Sequence, residues 1–135
     1  MPDLSTLNWT AIVAAAVVSY AGGMVWYAPM VFGKIWLKTL GKTKESLGSP
    51  TNPMIVGFIV SLLVAVALAL LFKLLGVIDP VLGAKMGLFI GVAFGALNVL
   101  SDSLFSGTPI KLFWIQQGYR VIGLVIMGAI LGGWK

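Results

Sequence analysis

The sequence predicts an all-α membrane protein: an up-down bundle of four transmembrane helices, with a short amphipathic interfacial helix after the first. Three observations carry that expectation. Hydrophobic residues make up 59% of the 135 positions and charged residues only 10%, against roughly 45–50% and about 25% in soluble domains. A domain this small leaves a large share of its surface exposed, so a mean hydropathy of +1.04 calls for lipid rather than water as the solvent. Finally, four apolar stretches are each long enough to cross a hydrocarbon core of about 30 Å as a helix. None alternates polar and apolar residues as a membrane strand would.

The first stretch, about residues 7–28, carries no charged side chain. No Lys or Arg precedes it, and its basic residues follow it, so it reads as a retained span rather than a cleaved leader. Residues 30–47 form the longest connection. Lys34, Lys38 and Lys42 recur every four residues there, with Phe32, Ile35, Trp36 and Leu40 largely opposite them. That pattern predicts a helix in the headgroup plane with its lysines on lipid phosphates. The same lysines also serve as an ordinary positive-inside signal. Residues 54–75 make the second span, with Lys73 near enough to its end to snorkel. Residues 83–105 and 112–134 make the third and fourth, and the whole of 1–135 reads as one domain. Pro53, Pro80 and Pro109 stand just ahead of the last three spans, where a missing N–H costs little.

Lysine placement sets the expected orientation. Lys34, Lys38, Lys42, Lys44 and Lys111 fall in the connections after spans one and three, against Lys73, Lys85 and Lys135 on the other side. Both connections are therefore expected to face the cytoplasm and both termini to face out. Trp26, Tyr27, Trp36 and Trp114 would mark the inner interface, with Trp9 and Trp134 at the outer one.

Two features of the spans point to contacts. Gly83, Gly87, Gly91 and Gly95 follow one another at four-residue steps, a stripe that lets a second helix come close. It fits an oligomer interface or packing within the chain. Gly128 and Gly132 repeat the spacing once, and Gly22 and Gly23 offer a small contact or a kink. The second feature is polar. Asn98 and Asp102 continue the glycine stripe, while Gln116, Gln117 and Arg120 fall within about one turn. Arg120 stands eight residues past Leu112, about 12 Å along a helix, and an unpaired charge at the bilayer centre costs about 3 kcal/mol. Asp102, the acidic residue inside a span, is its expected counter-charge. Asn98, Asp102, Gln116, Tyr119 and Arg120 are thus expected to form one buried polar cluster, structural or functional.

The chemistry classes narrow quickly. There is no Cys and no His, so thiol catalysis, disulfides and the commonest metal ligands are excluded. No cofactor and no metal site is expected. The net charge of +5 fits lipid headgroups better than nucleic acid, since no dense basic tract is present.

The stretch Leu7-Asn8-Trp9, then Trp26 through Trp36 (WYAPMVFGKIW), resembles the opening of the DUF1761 family of bacterial membrane proteins. Pro109 through Arg120 (PIKLFWIQQGYR), with Met127 through Trp134, is similar to that family's end. The matching residues are Trp26, Tyr27, Pro29, Gly33, Lys34, Trp36, Lys111, Gly118, Tyr119 and Gly128. The resemblance covers nearly the whole chain and implies a four-helix membrane protein, while the family itself is named for unknown function. The expected function is an oligomeric transporter or channel-like protein, since one four-helix protomer has too little interior for a pore. The alternative is a structural or accessory protein that binds lipid or a larger membrane complex. A membrane enzyme is less expected: Asp3, Glu45, Asp79 and Asp102 are scattered and form no nucleophile–base pair. Membrane lipids and a second copy of the chain are the expected partners, with the small-molecule ligand open.

Overall fold

The computed structural model describes residues 3–43, 46, 48–49 and 51–134. Every regular element among them is helical. We label the five helices α1 (Trp9–Trp26), α2 (Lys34–Leu40), α3 (Thr51–Leu75), α4 (Pro80–Ser106) and α5 (Ile110–Gly133). All except α2 are long and apolar enough to cross a membrane.

The ends follow from local chemistry. Asn8 caps α1 by accepting from the Ala11 N–H at 3.1 Å, and Asp79 caps α4 by accepting from the Leu82 N–H at 2.8 Å. Each satisfies one of the donors that a helix start leaves free. Pro80 opens α4 and Pro109 stands immediately before α5. Pro53 falls inside the first turn of α3, so that span starts earlier than its apolar run indicates. Within the 30–47 segment the short helix ends before Lys42. A π turn over Pro29–Gly33 leads into α2, and Gly41 ends it in the left-handed region at φ +72. The N–H of Lys42 then returns to the Leu37 carbonyl at 3.1 Å, closing the helix by the usual glycine cap. Lys34 and Lys38 therefore share a helix, and Lys42 lies beyond it. Lys44, Glu45 and Lys135 lie outside the described residues.

Helix α5 is the hub: α1, α3, α4 and α2 all pack against it. The core at the termini end joins Ile12, Ala15 and Ala16 of α1 to Ala65, Leu68 and Phe72 of α3 and Met127 of α5. Lipid removes the hydrophobic drive between helices, so close approach and hydrogen bonds must do the joining. Small residues supply the first. Ser61 Oγ supplies one of the second, donating to the Ala16 carbonyl at 3.2 Å, and Tyr20 another, donating to the Met54 carbonyl at 2.8 Å.

The closest seam lies between α4 and α5. A side chain at Gly83 would run into the Gly128 carbonyl, one at Gly87 into the Leu124 carbonyl, and one at Gly132 would meet the Asp79 carbonyl at 2.5 Å. The glycine stripe is thus occupied within one chain, by the glycine pair on α5. It stops at Gly91. A π turn over Gly91–Ala96 interrupts α4, and such a turn takes up one residue more than an α-turn. The inward face moves on by one position. Ser103 is buried in place of Asp102, and a side chain at Gly95 would meet only its own Ile90 carbonyl at 3.9 Å.

Candidate functional site at the basic end

Helices α1 and α3 stop at the same level. Ser61 meets Ala16, and ten residues further toward the basic end bring α3 to Thr51 and α1 to Trp26. Trp26 fixes that level on α5, because its indole N–H donates to the Ile115 carbonyl at 2.9 Å. The first turn of α5 and the last turns of α4 project past it. The segment from Ala28 to Leu40 folds back over this projection, with α2 against α5.

Aromatic rings make the joint. Trp26 stacks at a tilt on Phe32 with centroids 4.5 Å apart, Tyr27 meets Trp36 edge-on at 5.2 Å, and Tyr27 meets Tyr119 at 5.7 Å. Two glycines give them room. A side chain at Gly23 would lie 2.6 Å from the Tyr119 ring, and one at Gly118 would lie 3.0 Å from the Trp26 ring. Gly33 likewise tucks under the Tyr27 carbonyl. Tyr119 spends its hydroxyl across the bundle, donating to the Ser19 carbonyl at 3.2 Å. The Trp36 indole N–H is buried with no partner among the described residues.

The expected polar cluster does not assemble inside one chain. Asn98, Asp102 and Arg120 are exposed, Gln116 and Tyr119 are half-buried, and no ion pair joins Asp102 to Arg120 among the described residues. Asn98 turns its amide back on its own helix, donating to the Phe94 carbonyl at 2.7 Å. The π turn explains the exposure of Asn98 and Asp102, since it rotates both off the seam. Arg120 lies five residues beyond Ile115 on α5, about 7.5 Å along the helix from the level at which α1 ends.

A family model described as a protein of unknown function, DUF1761, matches residues 10–132. The chain belongs to the DUF1761 family. No curated protein and no solved structure matches it.

In this DUF1761 protein the two stretches that carried the resemblance, far apart in sequence, meet at one place. Trp26 touches Gly118, and Tyr27 touches both Tyr119 and Trp36. Around that joint Lys34, Lys38, Lys42 and Lys111 are all exposed, giving a basic rim on an aromatic base. No group of three or more metal-binding acidic, His or Cys side chains occurs among the described residues. Two residues outside the expected polar cluster matter here. Gln117 is 4% exposed, and it lies on the stripe Phe113, Gln117, Arg120, Leu124, Met127 and Leu131, spaced by fours and threes. Those spacings were legible, with Gln117 and Arg120 as the polar breaks in an apolar face. Trp36 gave no such signal, because an orphaned N–H depends on what covers it.

Proposed function

We propose that this DUF1761 protein is a lipid-binding accessory protein of the membrane, which holds anionic headgroups on the basic, aromatic platform at its lysine-rich end. The observation that carries the reading is the clamp on that platform. The Trp26 bond to Ile115 and the Tyr27–Trp36 contact tie the Ala28–Leu40 segment to α5, while Lys34 and Lys38 stay exposed. A tethered helix presents its charges at a fixed height. Each lysine near an anionic surface contributes about 1 kcal/mol, screened within a Debye length of about 10 Å at 0.1 M salt.

The chain has no cysteine, so Met30→Cys, at a side chain 96% exposed, takes a single environment-sensitive fluorophore. In nanodiscs of phosphatidylcholine containing phosphatidylglycerol, its emission shifts relative to phosphatidylcholine alone, and salt reverses the shift. Identical spectra in the two lipids would reject the reading.

A second reading has its own support. Asn98 and Asp102 stand exposed on α4, which packs chiefly on α5. A homo-oligomer built through that free face would place them between protomers, on the path of a transporter or channel. Solute flux into proteoliposomes, lost in Asp102→Asn, would favour it over the accessory role.

A further inference from the structure

Arg120 sits on the apolar stripe of α5 that α3 covers elsewhere. Met127 on that stripe is 3% exposed against Leu68 and Phe72, and Leu124 and Leu131 pack on the same cluster. On the other side of Arg120, Phe113 and Gln117 are each 4% exposed. Arg120 is therefore the open position in an otherwise covered row. The cover is lost because the basic half of α3 stands off from α5. Ile55, Val56, Ile59 and Leu63 there are exposed by 54%, 58%, 49% and 63%, and the contacts of that half run to α1, through Tyr20 and the Ser61 bond to Ala16.

Arg120 is thus exposed beside an exposed apolar half of α3, and no carboxylate pairs with its guanidinium among the described residues. About 7.5 Å separates Arg120 from the level where α1 ends, a distance an arginine side chain covers by snorkelling toward the headgroups.

We infer that Arg120 is the anchor of a discrete binding site for the phosphate of an anionic phospholipid, which enters the leaflet-level gap between α3 and α5 from the side. The exposed face of α3 receives the acyl chains. The planar guanidinium takes two phosphate oxygens at once, a geometry a lysine ammonium does not offer. The lipid supplies the counter-charge that Asp102 does not. This deepens the accessory reading, yet it stands on Arg120 rather than on the lysines of the platform, so the two can fail separately.

The test uses the full-length protein in mild detergent, titrated with phosphatidylglycerol brominated on its acyl chains, which quenches nearby tryptophans. Wild type shows saturable quenching by one lipid class above a phosphatidylcholine control. Arg120→Gln weakens it by about ten- to a hundredfold, the loss of a charge-assisted hydrogen-bonded pair. Arg120→Lys keeps the charge and the fold and weakens it less. The triple variant Lys34→Gln, Lys38→Gln, Lys42→Gln leaves this quenching intact even where it abolishes the platform's response to anionic nanodiscs. Unchanged affinity in Arg120→Gln overturns the site. Equal competition by inorganic phosphate makes it a free-anion site and overturns the lipid. An oligomer lost in Arg120→Asp and in Asp102→Arg but restored in the double variant assigns the guanidinium to a second copy, and overturns the lipid as well.

Discussion

The α4–α5 seam and the joint at the basic end solve the same problem, holding helices together in lipid, by opposite means. In the seam the side chains are removed: Gly83, Gly87, Gly128 and Gly132 bring carbonyls and Cα atoms into direct contact. At the joint the side chains are large, and two glycines exist only to make space for them: Gly23 for Tyr119 and Gly118 for Trp26. Contact between backbones has no give, because neither partner has a rotamer to change. Contact between rings does. The first region suits a fixed scaffold and the second a place where a ligand enters, and Lys34, Lys38, Lys42, Lys111 and Arg120 sit with the second.

The sharpest way to break that contrast is to add one methyl group to each kind of glycine. Gly83→Ala drives a Cβ into the Gly128 carbonyl, and since backbone cannot step aside the loss lies at the upper end of overpacking costs, about 3 kcal/mol. Gly95→Ala belongs to the same four-residue series in sequence, yet its Cβ meets nothing nearer than 3.9 Å. It is neutral or stabilising by up to about 1 kcal/mol, the helix preference of Ala over Gly. Thermal midpoints in one detergent compare the two directly. Equal losses would mean that the seam runs straight through Gly95 and that the π turn does not redirect α4.

That pair also marks where sequence reading succeeds and where it stops. Four spans were legible because lipid imposes length and apolarity on each residue separately. Their contacts depend on which way a face points, and a single widened turn changes that. Asn98 and Asp102 continue the glycine stripe only if α4 is regular. With the turn over Gly91–Ala96 they leave it, and Ser103 takes their place. Nothing in the run Gly-Val-Ala-Phe-Gly-Ala announces the extra residue. The basic end was half legible. Its aromatics and lysines were read as an interface, but the contact of Trp26 with Ile115 and Gly118 spans most of the chain and leaves no periodic trace. Arg120 was legible as a charge inside a span, and Gln117 as the second polar break in a row otherwise made of Phe113, Leu124, Met127 and Leu131.

A middle-sized effect tests the ring side of the contrast. Gly23→Ala puts a Cβ 2.6 Å from the Tyr119 ring, but a side chain can rotate away, so the cost should stay near 1–2 kcal/mol, within the range for overpacking. The displaced ring also gives up its bond to Ser19. Tyr119→Phe removes that bond alone, worth about 1 kcal/mol in water and about 0.6 kcal/mol between membrane helices. In the Tyr119→Phe background Gly23→Ala should therefore cost less than in wild type, and a double-mutant cycle reads the difference. Strict additivity would separate Gly23 from the Tyr119 bond and place the joint elsewhere.

The smallest expected effect is the most informative about ligand entry. The Trp36 N–H is buried without an acceptor among the described residues, and leaving a buried donor unsatisfied costs about 1–3 kcal/mol. Trp36→Phe deletes that donor while keeping a ring against Tyr27, at the expense of some packing area. The two terms oppose each other, so the thermal midpoint of the lipid-free protein should move little, and upward if it moves. A clear fall would mean that something accepts from the indole in the folded protein. Repeating the measurement with phosphatidylglycerol present separates the possibilities. If lipid stabilises wild type more than Trp36→Phe, the acceptor arrives with the headgroup, and the joint itself is part of the binding surface. If lipid stabilises both equally, the rings act only as the wall beside Arg120.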